Sequence, residues 1–263
     1  MAPHPDSINL NDYLFRLEEF ISTRYGNLLL PSHDLNHHRR VWRNARTILE
    51  ELQRKGFCFT TGFQEQLLIA CMTHDTGMAI DAGERHGRES RDICRRFLTE
   101  NDIPQYLHEE ILFVVENHDD KSYTETSPPD SLLTILSVAD DMDAFGYTGI
   151  YRYIEIYLAR NNPESCLADM IVTNATRRIK HLAKVYEFLP ELCEIQIKRF
   201  NILSDFLETT GREKQQTLTH IFDVIKKSLS DRHTMQETAS HGSAHHHRQT
   251  AVFFRNLLTE MQE

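Results

Sequence analysis

The chain has 263 residues, 40% of them hydrophobic, and a net charge of −10 at pH 7. That supports a real core in one large domain or two small ones. The acidic surplus excludes non-specific binding to nucleic acid polymers, which needs basic surface to displace counterions. No run approaches the roughly 18 apolar residues of a membrane-spanning helix, so no membrane association is expected. A small phosphorylated substrate stays open, because a bound metal can supply the missing positive charge.

Strand signals are scarce and helical periodicity is everywhere, so the expected architecture is all-α. Helices are expected at 8–24, 34–55, 62–77, 86–100, 104–117, 130–145, 148–160, 164–188, 190–209, 212–229 and 248–262. The N-terminal MAPHPDSINLNDY has no basic region followed by an apolar block, so it does not read as a secretory signal. Gly56 follows the second helix and Gly211 the ninth, where helix ends favour glycine. Asn101 and Asp102 precede Pro104, and the loop Ser127–Asp130 is placed to cap a helix beginning at Ser131. The five cysteines are Cys58, Cys71, Cys94, Cys166 and Cys193, an odd set without paired spacing. Cys71 and Cys94 sit in apolar helical patterns, as buried free thiols do, and a reducing cytoplasm fits best.

The segment 230-SDRHTMQETASHGSAHHHRQT-250 is polar and shows no apolar period. It reads as a mobile linker before an amphipathic end helix carrying Val252, Phe253, Leu257, Leu258 and Met261. The run His245–His247 has metal-ligating chemistry, but neighbours on a loop do not define a cage, so a solvated loop is the expectation.

The informative stretch is 67-LLIACMTHDTGM-78, an apolar helix face that ends on His74 and Asp75. Burying an unpaired imidazole or carboxylate costs roughly several kcal/mol. A hydrogen bond, a salt bridge or a metal must compensate. The same oddity recurs along the chain. His37 lies one turn before the stripe Val41, Ala45, Ile48, Leu52. His118 ends the stripe Leu107, Ile111, Val114, and Asp140 follows Leu133 and Leu136 or Ser137, ahead of Ala144. His86 opens the face Ser90, Ile93, Phe97. One such residue is ordinarily a satisfied core histidine. Six on one set of helices are harder to explain separately, and a shared metal would offset all of them at once. Mixed imidazole and carboxylate donors suit Mn, Fe, Co, Ni or Zn, with Mg admitted but less well matched.

The order His37, His74-Asp75, Asp140 resembles the H…HD…D signature of the HD superfamily of metal-dependent phosphohydrolases, in particular a small bacterial branch. The stretch 33-HDLNHHRRV-41 is similar to the first-histidine segment and selects His37 over His33 and His38 by its spacing to Arg40-Val41. The stretch 72-MTHDTG-77 is similar to the doublet with its small followers, and 138-VADDMDAFGYTGIYR-152 to an Ala-Asp-x-x-Asp-Ala segment. The resemblance covers roughly residues 30 to 155. It implies a helical HD bundle extended by C-terminal helices: an N-terminal helix at 1–30, a metal-binding core at 31–160, packed C-terminal helices at 161–229, and the linker with its end helix at 230–263.

The resemblance further implies His37, His74, Asp75 and Asp140 as metal ligands, with one ion expected and two admitted. The metal would polarise a phosphoryl oxygen, lower the pKa of water and orient the substrate. Asp75, His118 and His86 are the catalytic candidates. Either histidine would serve as general acid, hold a second metal shared through Asp75, or orient water or phosphate. Asp119 and Asp120 follow His118 where the di-iron phosphodiesterase branch has another histidine, and that branch's Gly-Tyr-Pro signature is absent. Arg40, Arg85, Arg88 and Lys121 are phosphate-binding candidates, or else solvated helix ends. Asp143 would hydrogen-bond a ligand histidine or face another helix, and Tyr147, Tyr151 and Tyr153 would stack on a base or, more simply, pack. The expected function is hydrolysis of a nucleotide or another small phosphate ester by a protein that is allowed to self-associate. A di-iron HD-type oxygenase, and a non-catalytic nucleotide-sensing or partner-binding module with a structural metal, are the alternatives.

Overall fold

The computed structural model describes residues 10–81, 83, 85–120, 127–208 and 211–262. Among these there are twelve α-helices, three short 3-10 turns and no strand, so the chain is all-α as its periodicity implies. It divides into two compact units: the first holds the chain up to Leu29 and Asp34–Ala139, the second Leu30–His33 and Asp140 onward.

The first unit contains α1 (Leu10–Arg24), α2 (Leu35–Arg54), α3 (Thr61–Thr73), α4 (His86–Glu100), α5 (His108–Asn117) and the start of α6 (Leu132–Asp143). Every residue of α3 from Gln66 to Thr73 is buried, because α1, α2, α4 and α5 all pack on it. A helix apolar on all sides has to be surrounded in this way. Local chemistry sets the ends. The Asp34 carboxylate accepts from the amides of Asn36 at 2.9 Å and His37 at 3.2 Å. Thr60 Oγ accepts from Phe63 N–H at 3.1 Å. Caps of this kind contribute about 1 kcal/mol each. Gly56, at φ +94°, ends α2. Ser131, expected as the first residue of its helix, caps it instead: α6 begins at Leu132, and Ser131 Oγ accepts from Thr134 N–H at 3.2 Å.

The second unit is built on α7 (Gly146–Ala159), with α8 (Glu164–Val185), α9 (Pro190–Glu208), α10 (Arg212–Asp231), α11 (Met235–Ser243) and α12 (Arg248–Gln262). α7 packs against α8, α9, α10, α12 and the 3-10 turn Pro31–His33. Tyr151 and Tyr153 are core residues of it, and the half-buried Tyr147 packs on Phe206 and Phe253. Trp42 is likewise packed.

The segment 230–250 differs from its sequence expectation. α10 runs on to Asp231, and α11 stands where a mobile linker is expected. Thr234 and Glu237 form a reciprocal capping box, which satisfies two amides at the start of α11. The helical period is present, but it is written in small residues. Met235, Thr238, Ala239 and Gly242 are the buried positions, and a hydropathy pattern does not register threonine, alanine and glycine as a core face.

Cys71, Cys94 and Cys193 are buried, while Cys58 and Cys166 are exposed. Burial pushes the Cys94 thiol up to about 12, which removes its reactive thiolate near neutral pH. An aromatic-disulfide assay on the native protein is expected to detect Cys58 and Cys166 promptly and the buried thiols only in denaturant. Prompt modification of Cys94 would contradict the packing.

Candidate metal centre

Helix ends of the first unit assemble the site. His37 lies in the first turn of α2, His74 at the C-terminus of α3, His86 at the start of α4 and His118 at the end of α5. Asp75 follows His74 on the turn into the 3-10 segment Thr76–Ala79. All five side chains are buried. Two glycines permit this convergence by close backbone approach. A Cβ on Gly77 would lie 2.1 Å from His86 O, and one on Gly87 would lie 2.4 Å from Glu116 O. Gly77 N–H also donates to Ser90 Oγ at 2.8 Å, fixing the doublet's turn to α4.

The ring nitrogens are oriented by the backbone. His74 Nδ1 lies 2.8 Å from Cys71 O, His86 Nδ1 2.7 Å from Gly83 O and His118 Nδ1 2.8 Å from Val115 O. A carbonyl only accepts, so in each ring Nδ1 carries the proton and Nε2 of the neutral imidazole is left with a lone pair. Those Nε2 atoms point at one another and at Asp75. His37 Nε2 is 3.2 Å from His74 Nε2. Asp75 Oδ2 is 3.2 Å from His37 Nε2 and 3.4 Å from His74 Nε2. Asp75 Oδ1 is 3.1 Å from His118 Nε2 and 3.6 Å from His86 Nε2. Each carboxylate oxygen of Asp75 therefore faces its own pair of imidazoles. The ligand atoms of His37, His74 and Asp75, and separately those of Asp75, His86 and His118, lie within 4.8 Å of one another.

Lone pairs converging on a carboxylate repel unless a cation lies among them. The donor chemistry thus fits a divalent metal, and the buried His/Asp cluster can hold one. Without a cation, relief comes only from protons shared between Asp75 and the rings. Burial pushes the His74 imidazole below its ordinary value against the pull of Asp75, with His118 and His37 acting in the same direction as burial. Burial, then His74 and His37, hold the adjacent His38 well below its ordinary value. For Asp75, burial raises the pKa, but the His74 ring and hydrogen bonds with His118, His37 and His74 outweigh it and hold the carboxyl well below the usual range.

These shifts give a signed pH dependence. His38 and His74 titrate lower in the folded chain than in the unfolded chain, where the imidazole value is about 6.5. The unfolded state therefore takes up protons first as the pH falls, and stability present above that value is progressively lost below it. The urea midpoint of metal-free protein is expected to drop between pH 7.5 and 5.5, and to drop less in His38→Gln. An unchanged midpoint would show that these rings are not buried neutral.

Asp140 belongs to the second unit and lies on α6. It is buried. Its carboxylate meets two arginines of its own unit: Arg152 Nη2 donates to Oδ1 at 3.4 Å and Arg178 Nη1 to Oδ2 at 3.3 Å. Arg178 also donates to Asp141 at 2.5 Å, and Arg152 Nη1 is 3.1 Å from Asp143 Oδ2. Asp143 therefore faces an arginine of α7. The two arginines are absent from the sequence-derived site. A signal for Arg152 lies in α7, where Arg152 and Glu155 are the charged residues of an otherwise apolar and aromatic helix; Arg178 lies on α8. Glu155 Oε2 accepts from Ser32 N–H at 2.8 Å, and His33 Nε2 lies 3.3 Å from Arg152 Nη2, which accounts for the buried His33.

A cleft of about 350 Å³ in the first unit is lined by Arg85, His86, Gly87, Arg88, Glu116, Asn117, Asp119 and Asp120. His86 links this cleft to the buried cluster. Arg85 donates from Nε to Asp81 Oδ2 at 2.9 Å. Arg88 is exposed, with no ion pair to any described residue. Glu116 is neutralised by Arg91, which reaches both its oxygens at 2.8 Å. Arg40 is half-buried on α2, one turn beyond His37, and does not line the cleft. Lys121 lies outside the described residues.

Residues 34–144 match the HD domain family, and the chain carries an HD domain of the HD superfamily. Members of that family are for the most part metal-dependent hydrolases that bind divalent ions. No curated protein and no solved structure matches the chain significantly.

Proposed function

We propose that the chain is a metal-dependent phosphohydrolase acting on a nucleotide or another small phosphorylated molecule. The observation that carries this reading is the buried carboxylate of Asp75 between two imidazole pairs whose Nε2 atoms all face it. One ion would be held by His37, His74, Asp75 and Asp140. Asp140 is included because it completes the H…HD…D order and because α6 is anchored just before it. Ser137 Oγ donates to His118 O at 3.0 Å, and Asn44 Nδ2 donates to Ala139 O at 2.9 Å. A second ion would be held by Asp75, His86 and His118, in place of the general-acid role for those histidines. When bound, such ions supply Lewis acidity toward a phosphoryl oxygen and lower the pKa of water.

The chain's own contribution is positioning and charge. Asp75 bridges the two sets and keeps them at fixed spacing. Arg88, with Arg85 beside it, offers guanidinium donors at the mouth of the cleft, where the phosphate of a substrate reaching His86 would lie. Asp119 and Asp120 make that mouth otherwise acidic, so an anionic substrate depends on the metal for most of its attraction.

Elemental analysis of the purified protein, followed by phosphate release from a nucleotide panel with Mn, Ni, Co or Mg added separately, tests the reading. Turnover with a nitrogen-tolerant ion, and weaker turnover with Mg, is expected. The second donor set also favours a di-iron oxygenase. Bound iron with oxygen consumption and no phosphate release would decide for it.

A further inference from the structure

The turn that follows Asp140 is clasped by one ion pair from the far end of the chain. α6 ends at Asp143 and α7 begins at Gly146, whose φ of +70° turns the chain sharply. Glu260, near the end of α12, accepts through Oε2 from Tyr147 N–H at 2.6 Å and Thr148 N–H at 3.1 Å. These are amides of the first turn of α7, which lack partners within their own helix. Glu260 Oε1 is held by Arg199 on α9, from Nε at 3.0 Å and Nη2 at 2.6 Å. Arg199 also donates to Met142 O at 2.6 Å and Phe145 O at 3.1 Å. The arginine thus takes carbonyls on the α6 side of the turn and the glutamate takes amides on the α7 side. The fit is close: a Cβ on Gly146 would lie 2.2 Å from Glu260 Oε1.

We infer that Arg199 and Glu260 are positioning residues for the metal centre, setting the placement of Asp140 through the turn that follows it. This rests on the reading of Asp140 as a metal ligand. Met142, which Arg199 grips, is two residues from Asp140 on the same helix. Asp143, whose carboxylate shares Arg152 with Asp140, is followed at once by the clasped turn. Releasing the clasp frees the C-terminal end of α6, and Asp140 then has to be ordered at the moment an ion binds. Groups that orient a ligand from behind are typically worth about 10- to 100-fold in metal affinity.

The test separates positioning from general stability. Mn²⁺ affinity by calorimetry, thermal midpoint and kinetic constants are measured for the full chain and for Glu260→Ala, Arg199→Lys and Leu257→Ala. Leu257 is a buried apolar residue of the same helix, so its truncation loosens α12 without removing a bond to the turn. Glu260→Ala is expected to weaken Mn²⁺ binding by about tenfold or more and to lower kcat at saturating metal with KM little changed. Arg199→Lys keeps the charge but loses the forked bonds, and a smaller loss in the same direction is expected. Leu257→Ala is expected to lower the thermal midpoint while leaving Mn²⁺ affinity unchanged. Equal effects of Leu257→Ala and Glu260→Ala on Mn²⁺ affinity, or none from Glu260→Ala and Arg199→Lys, would overturn the inference. A parent protein that does not bind Mn²⁺ would overturn the reading of Asp140 itself, and the inference with it.

Discussion

His74→Ala and Asp75→Ala are each expected to cut phosphate release by roughly three orders of magnitude, equal to about 4 kcal/mol of transition-state stabilisation. Metal content should fall with activity. Asp75 is the more severe position, because its two oxygens face separate imidazole pairs and its loss opens both donor sets. In the parent, added metal should raise the thermal midpoint, since an ion that binds only the folded state stabilises it by mass action. In Asp75→Ala that rise should vanish. Full turnover in either variant would show that these side chains do not hold the ion.

The second large effect lies far from the cluster in sequence. Phe254→Ala is expected to destabilise the second unit by about 3–5 kcal/mol, the range for truncating a buried aromatic. Phe254 is fully buried, between Phe253 at a ring distance of 5.0 Å and the glycine face of α11. A Cβ on Gly242 would lie 2.1 Å from the Phe254 ring, so Gly242→Ala should act in the same direction through overpacking. Chemical denaturation followed by circular dichroism measures both. A Phe254→Ala midpoint equal to the parent's would mean that α12 does not pack as described. Of the apolar residues of α12, Phe253, Phe254 and Leu257 are buried inside their own unit, and Val252, Leu258 and Met261 are half-buried.

Much of the site was legible in the sequence for one physical reason. An ionisable residue on an apolar helical stripe is costly, so it stands out against a periodic background. His37, His74, His86 and His118 all interrupt such stripes, and the structure of the first unit gathers them around Asp75. The pairing of imidazoles with separate carboxylate oxygens was not legible, because it depends on where helix ends meet, and that is set by close approaches at Gly77 and Gly87. Arg178 was not legible because it stands in α8 beside Arg177 and Lys180, where a basic residue does not stand out, and the partners of Arg152 are fixed only by the packing of α6 and α7. α11 escaped because its inward face is made of threonine, alanine and glycine, whose burial depends on fit more than on hydropathy. Arg199 and Glu260 had no local signature at all. Sixty-one positions separate them, and each alone resembles an ordinary charged residue on a helix surface.

The carbonyls behind His74, His86 and His118 have a consequence for selectivity among ions. They settle which nitrogen of each ring is free before any ion arrives, so binding requires little rearrangement of hydrogens. Rings arrayed in that way reward borderline cations and do little for the hard, oxygen-seeking magnesium that is abundant in most cells. On the proposed reading, the protein's output would follow the supply of a scarce element as closely as it follows its substrate, and starvation for that element would silence it without any change in its amount.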